Sequence, residues 1–244
     1  MTIEEVFAKN ESERGDLENM NDIVAIVPIK EHSERVPNKN IRLFNGKPLF
    51  FWIIQELLYA KHVRYICVDT DSHAIIDAIK KLFEDITFIL RPLQLRGDEV
   101  SMNSIINYDI NEELDAENYI QTHTTNPLLT RETIDSAIET YFSNLPHYDS
   151  LFTVSRIQTR CYAQDGACIN HDPENLIPTQ NLPPVYVENS NMYIFSRDSF
   201  NIRKRRIGKR PYMFEMNAYE ALDIDEEEDF ICAEILHKAR KKEC

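Results

Sequence analysis

Ile23-Val24-Ala25-Ile26-Val27-Pro28 decides the fold, together with the polar stretch after it, Ile29-Lys30-Glu31-His32-Ser33-Glu34-Arg35-Val36-Pro37-Asn38-Lys39-Asn40. A short unbroken apolar run reads as a strand buried on both faces, the kind that parallel sheets use. Working outward, an apolar helix-like segment at 49–60 leads to a second strand, Tyr65-Ile66-Cys67-Val68, which stops at Asp69-Thr70-Asp71-Ser72. Ser72 or Asp71 can cap the helix starting near Ala74, with the cap the safer reading for Asp71. Further strands are expected at 87–90, 118–121 and 150–154, with helices at 101–114 and 131–142 between them, the latter capped by Thr130. Alternation of this kind predicts a mostly parallel α/β sheet with right-handed crossovers.

After Val154 the rhythm changes. Residues 156–187 carry Pro173, Pro178, Pro183 and Pro184 and read as an excursion, a hairpin arm suited to packing on another subunit. Met192-Tyr193-Ile194-Phe195 resumes the sheet, residues 217–224 are expected to be its last element, and 227–240 a closing helix. Residues 1–21 read as a flexible N-terminal extension ahead of one domain over 22–244.

A net charge of −14 argues against duplex nucleic acid as a partner, since binding phosphate backbones needs a broad basic surface. No stretch is long and apolar enough to span a bilayer, and the polar N-terminal stretch lacks the apolar core of a secretory signal. The five cysteines have no C-x-x-C spacing, which fits free thiols in a reducing cytoplasm.

Ligands of parallel sheets sit beyond the carboxyl ends of the strands. The loop from Lys30 to Asn40 supplies point charges, a fork donor, a hydroxyl and backbone N–H groups, which a triphosphate requires, though it equally fits a solvated connection. It lacks the Walker pattern. In Leu222-Asp223-Ile224-Asp225, an extended backbone points Asp223 and Asp225 the same way, a pair suited to Mg²⁺. Glu226 to Asp229 read as the acidic first turn of a helix. His123-Thr124-Thr125-Asn126-Pro127 offers neutral groups suited to a sugar, although a loop histidine is more often structural. Arg203-Lys204-Arg205-Arg206 reads as solvated surface or an anion holder.

In order along the chain, these segments resemble the N-acylneuraminate cytidylyltransferases, and more distantly the CMP-Kdo synthetases. The resemblance rests on Ala25-Ile26-Val27-Pro28 through Ser33, Pro37, Lys39 and Asn40; on Asn45-Gly46-Lys47-Pro48-Leu49; and on Val68-Asp69-Thr70-Asp71-Ser72. It continues through Leu90-Arg91-Pro92, Gly97-Asp98, Asn126-Pro127-Leu128, 189–195 and Asp223-Ile224-Asp225. It implies a Rossmann-like nucleotidyltransferase fold, a homodimer built on the 156–187 arm, Mg²⁺ as cofactor, and transfer of CMP from CTP to an acidic sugar. Carried over, Lys30, Ser33 and Lys39 hold the triphosphate, Asn40 helps fix the nucleotide, and Gly97 and Asp98 lie beside cytosine and ribose. His123, Thr125, Asn126 and Asn189 face the sugar, Gln180 reaches it from the arm, and Asp225 ligates the metal with Asp223 in support. The chain departs from the family where Lys30 replaces an arginine, His123 a glutamine and Ser190 a glycine. Two alternatives stay open: a catalytically impaired nucleotide-binding relative acting as a regulatory subunit, and a transferase of the same fold using another nucleotide.

Overall fold

A computed structural model describes residues 23–240; the expected extension at 1–21 and Cys244 lie outside them. The chain begins with β1 (Ile23–Ile29), a small hairpin of β2 (Leu43–Phe44) and β3 (Lys47–Pro48), and helix α1 (Leu49–Tyr59). Then come β4 (Val63–Thr70), α2 (His73–Lys80), β5 (Ile86–Leu90) and α3 (Met102–Tyr108), which runs on into a π-turn at Asp109–Glu113. β6 (Asn118–Thr122), α4 (Arg131–Ser143), β7 (Ser150–Ile157), β8 (Val185–Ser196), α5 (Arg197–Arg203), β9 (Pro211–Glu215) and α6 (Glu227–Arg240) complete it.

The main sheet has the strand order β5-β4-β1-β6-β8-β7-β9. All pairings are parallel except those of β8, which opposes both β6 and β7. The expected mostly parallel α/β architecture is therefore what forms. β1 is an interior strand, with Ile26 opposite Cys67 on one side and Gln121 on the other. All seven of its residues are buried. Ile23, Ala25 and Val27 enter the larger core cluster, with α1 residues Phe50 and Ile54. Val24 and Ile26 enter the other, with Ile106 and Phe200. Side chains alternate across a strand, so β1 holds both layers, and each large side chain it buries contributes roughly 1.5–3 kcal/mol.

Local chemistry sets the element ends. Ser72, Ser101, Thr130 and Ser196 accept the hydrogen bonds that cap their helices. Asp71 does not cap α2. Its Oδ1 accepts from Glu31 N at 2.9 Å, tying the β4 end to the loop after β1. Asn45 and Gly46, at φ 47° and 83°, make the two-residue β2–β3 turn, where positive φ at both positions favours Asn-Gly.

The last strand is not at 217–224, where the sequence predicts it, but at β9, beside β7. Residues 217–224 turn instead: Asn217 accepts from Glu220 N through Oδ1 and from Ala221 N through its carbonyl. Ile224 N then donates to Thr125 O at 2.9 Å, which carries the chain past the strand ends.

One polar group lies deep in the second layer. Asp69, Arg91 and Asp109 are almost wholly buried. Arg91 Nε donates to Asp69 Oδ1 at 2.6 Å, while no donor among the described residues reaches either oxygen of Asp109. Burial, then the Asp69 charge, push the Asp109 carboxyl up, so it is held neutral. In the unfolded chain this proton leaves at about pH 4. Between that value and the raised folded one the unfolded state binds fewer protons, so stability falls as pH rises. Asp109→Asn should flatten this dependence: the drop in Tm from pH 6 to pH 9, followed by calorimetry, should shrink by at least ~2 °C. An unchanged drop would mean that Asp109 is ionised in the fold.

Candidate active site

A cleft of about 420 Å³ opens beyond the carboxyl ends of β1 and β6. Lys30, Ser33, Lys39, Asn40, Asp98, His123 and Thr125 all line it, together with Arg35 and Thr124. Seven residues singled out from the sequence thus meet in one place. Gly97 precedes Asp98 with φ 103°, a conformation that favours glycine.

Asn40 is buried and fixes the loop. Its Nδ2 donates to Lys30 O at 2.7 Å and its Oδ1 accepts from Thr124 Oγ1 at 2.5 Å. Across the cleft Lys30 Nζ meets Asp98 Oδ1 at 2.8 Å, and Lys30 holds the Asp98 carboxyl below its usual range. This pair is well exposed and its members can exchange one another for ligand groups, since such pairs are weak in water.

Asp223 and Asp225 do not line the cleft; their segment lies behind it, held by Lys39 and Arg35 of the lining. Lys39 Nζ donates to Ile224 O at 2.7 Å. Burial lowers the Lys39 pKa, against the opposing pull of Asp225 and Asp223. Asp225 Oδ1 accepts from Arg35 Nη2 at 2.6 Å, and Arg35 Nη1 reaches Glu226 Oε1 at 3.1 Å. Asn126 Nδ2 lies 3.5 Å from Asp223 Oδ1. Burial raises the Asp223 pKa and the Asp225 charge raises it further. Two carboxylates that repel one another beside a cationic loop suit Mg²⁺, which takes one or two carboxylates and completes its shell with water and phosphate oxygens. Asp229, expected in the first turn of α6, accepts from the backbone N–H groups of Asp225 and Glu226 and fixes their path.

Gln180 and Asn189 do not line this cleft. Gln180 sits on a single 3₁₀ turn, Thr179–Asn181, and Asn189 Nδ2 donates to Ser155 Oγ at 3.1 Å. Their segment leaves the sheet where β7 and β8 run on as a two-stranded ladder from Val154–Glu188 to Ile157–Val185. It exposes Tyr162, Ile169 and Leu176.

Sequence reasoning missed the division of the basic run. Arg203 bonds Gly208 O and Lys204 bonds Asn107 and Asn201, but Arg206 turns inward. Its guanidinium lies 3.9 Å from the centre of the Tyr193 ring and donates to Gln121 Oε1. Gln121 Nε2 is 3.0 Å from His123 Nε2. Four consecutive cations look alike in a sequence; only the fold separates them.

A family model described as cytidylyltransferase matches residues 24–242. The post-translational flagellin modification protein B of Campylobacter coli is 26% identical over 231 residues, covering 91% of this chain and 97% of that protein. An N-acylneuraminate cytidylyltransferase of Streptococcus agalactiae is 24% identical over 85% of this chain and 51% of its own length. The chain thus spans nearly all of the first relative and about half of the second. Among solved structures, CMP:2-keto-3-deoxy-manno-octonic acid synthetase complexed with CTP superposes with a TM-score of 0.65 at 14% identity, covering 90% of this chain and 99% of that one. At that identity the likeness establishes the fold, a Rossmann-like nucleotidyltransferase sheet. The family match runs from β1 into the residues beyond α6 and takes in every wall of the cleft: this chain belongs to the cytidylyltransferase family, whose members are nucleotidyltransferase enzymes.

Proposed function

We propose that the protein transfers CMP from CTP to the anomeric hydroxyl of a sialic-acid-like 3-deoxy-2-ulosonic acid. The observation that carries this reading is one cleft lined by Lys30, Ser33, Lys39 and His123 and backed by the Asp223–Asp225 segment. The sugar hydroxyl loses its proton, its oxygen bonds to the α-phosphorus of CTP, and the bond from that phosphorus to pyrophosphate breaks. Lys30 and Lys39 meet the phosphates as point charges, Ser33 as a hydroxyl donor, and the loop between them holds the chain in line for attack. Asp225, with Asp223 in support, would hold Mg²⁺, which when bound neutralises charge on the phosphates. His123, Thr125 and Asn126 face the sugar. Homodimerisation through the exposed apolar side chains of the arm would bring Gln180 and Asn189 to a sugar pocket. The reaction belongs in the cytoplasm, where CTP is made. Membership of the cytidylyltransferase family disfavours the impaired-subunit and other-nucleotide alternatives.

The test is pyrophosphate release with Mg²⁺ and CTP against N-acylneuraminic, legionaminic and pseudaminic acids and Kdo. Release with one acid and CTP, but not with ATP, GTP or UTP, is expected. Failure of CTP to bind by calorimetry would overturn the nucleotide assignment.

A further inference from the structure

Three hydrogen bonds around Gln121 fix the chemistry of the histidine in the cleft. Gln121 is fully buried in β6. An amide can be flipped without changing its shape, so its orientation must follow from its partners. Arg206 can only donate, so the amide atom facing it is the oxygen. The carbonyl of Thr122 can only accept, so the atom 3.0 Å from it is the nitrogen. The two constraints lie on opposite ends of one amide and agree. Gln121 Nε2 is then a donor to His123 Nε2, 3.0 Å away, and that ring nitrogen carries no proton.

Arg206 is itself held from three elements. It stacks on Tyr193 of β8, and its Nε donates to Asn103 of α3 at 3.3 Å. It meets Gln121 on β6. Its positive charge and that of Lys39 both disfavour an imidazolium at His123. Burial is the larger cause, and the ring pKa is pushed down to about 3.

We infer that Arg206 and Gln121 are positioning residues that hold His123 as the neutral Nδ1–H tautomer, so that it meets the sugar as a hydrogen-bond donor to an acceptor oxygen and not as a base. The part concerning the sugar rests on the function proposed above. The tautomer does not.

The first measurement is ¹⁵N NMR of the free, histidine-labelled protein, with the His123 signals identified by their loss in His123→Asn. Pyrrole-type Nδ1 and pyridine-type Nε2 shifts, constant from pH 5.5 to 8.5, are expected. A protonated Nε2, or a titration within that range, overturns the inference. Gln121→Glu keeps the shape and places a carboxylate against Arg206, but a carboxylate only accepts. His123 should then carry a proton on Nε2, as the other tautomer or as the cation, and the KM for the sugar acid should rise at least 10-fold with the KM for CTP within 2-fold. An unprotonated Nε2 in a folded Gln121→Glu protein would show that the amide does not set the tautomer. Should that variant not fold, Arg206→Gln frees the amide to rotate and should give mixed tautomers at His123; a single Nδ1–H form there overturns the role of Arg206. An intact tautomer in a protein inactive on the whole sugar panel would count against the proposed function while leaving the lock standing.

Discussion

Asp225→Ala should lose turnover by at least ~10²–10³-fold, the loss typical when one preorganised charge-stabilising group is removed from a transfer site. The side chain is half exposed, so its removal leaves no cavity and no buried orphan. Arg35 keeps its second partner, Glu226. The backbone at 225 stays tied through its N–H to Asp229. The Tm should therefore stay within about 2 °C of the parent, as for most surface substitutions. Calorimetry and pyrophosphate release on the same sample separate the two effects. Near-parental turnover at saturating Mg²⁺ would remove Asp225 from the metal assignment, and a large fall in Tm would make it a structural residue.

Lys39→Met should weaken CTP binding far more than sugar binding. Lys39 reaches from the loop after β1 to Ile224 O, where the charges of Asp225 and Asp223 both act on it. A hydrogen bond to a charged group contributes about 1.5–3 kcal/mol, or about 10–150-fold in Kd. The methionine fills the same space without the charge. The sugar KM should move less than about 3-fold, because His123 and Thr125, the groups proposed to face the sugar, follow β6. Equal losses for both ligands would point to collapse of the loop, and an unchanged CTP Kd would take Lys39 out of the phosphate site.

Much of this was legible in the sequence for identifiable reasons. β1 has no polar residue before Lys30, so only a doubly covered central strand fits it. The caps at Ser72 and Thr130 and the acidic start of α6 each carry their own local chemistry. The site loop was legible because a parallel sheet says where to look. Strand direction was not: the alternation in β8 is the same whichever way the chain runs, and only pairing with β6 shows it reversed. Residues 217–224 have strand-like composition, but their backbone turns on Asn217. Asp71 had the type and place of a cap, and a contact 40 residues away claimed it. Gln121 and Arg206 were invisible for the same reason, being joined across 85 residues.

The stitching between loop and acidic segment bears on when the site comes into being. Lys39 holds Ile224 O, Arg35 holds Asp225, Arg42 forks onto Glu227, and Asn45 N donates to Glu234 Oε1. Each of these links spans some 185 to 190 residues. A ribosome adds about 5–20 residues per second. The loop after β1 is thus synthesised many seconds before the segment that ties it down, and a nascent chain that has made β1 to β6 still lacks all four links. Anchoring of that loop therefore comes late, after every residue lining the cleft has already been made.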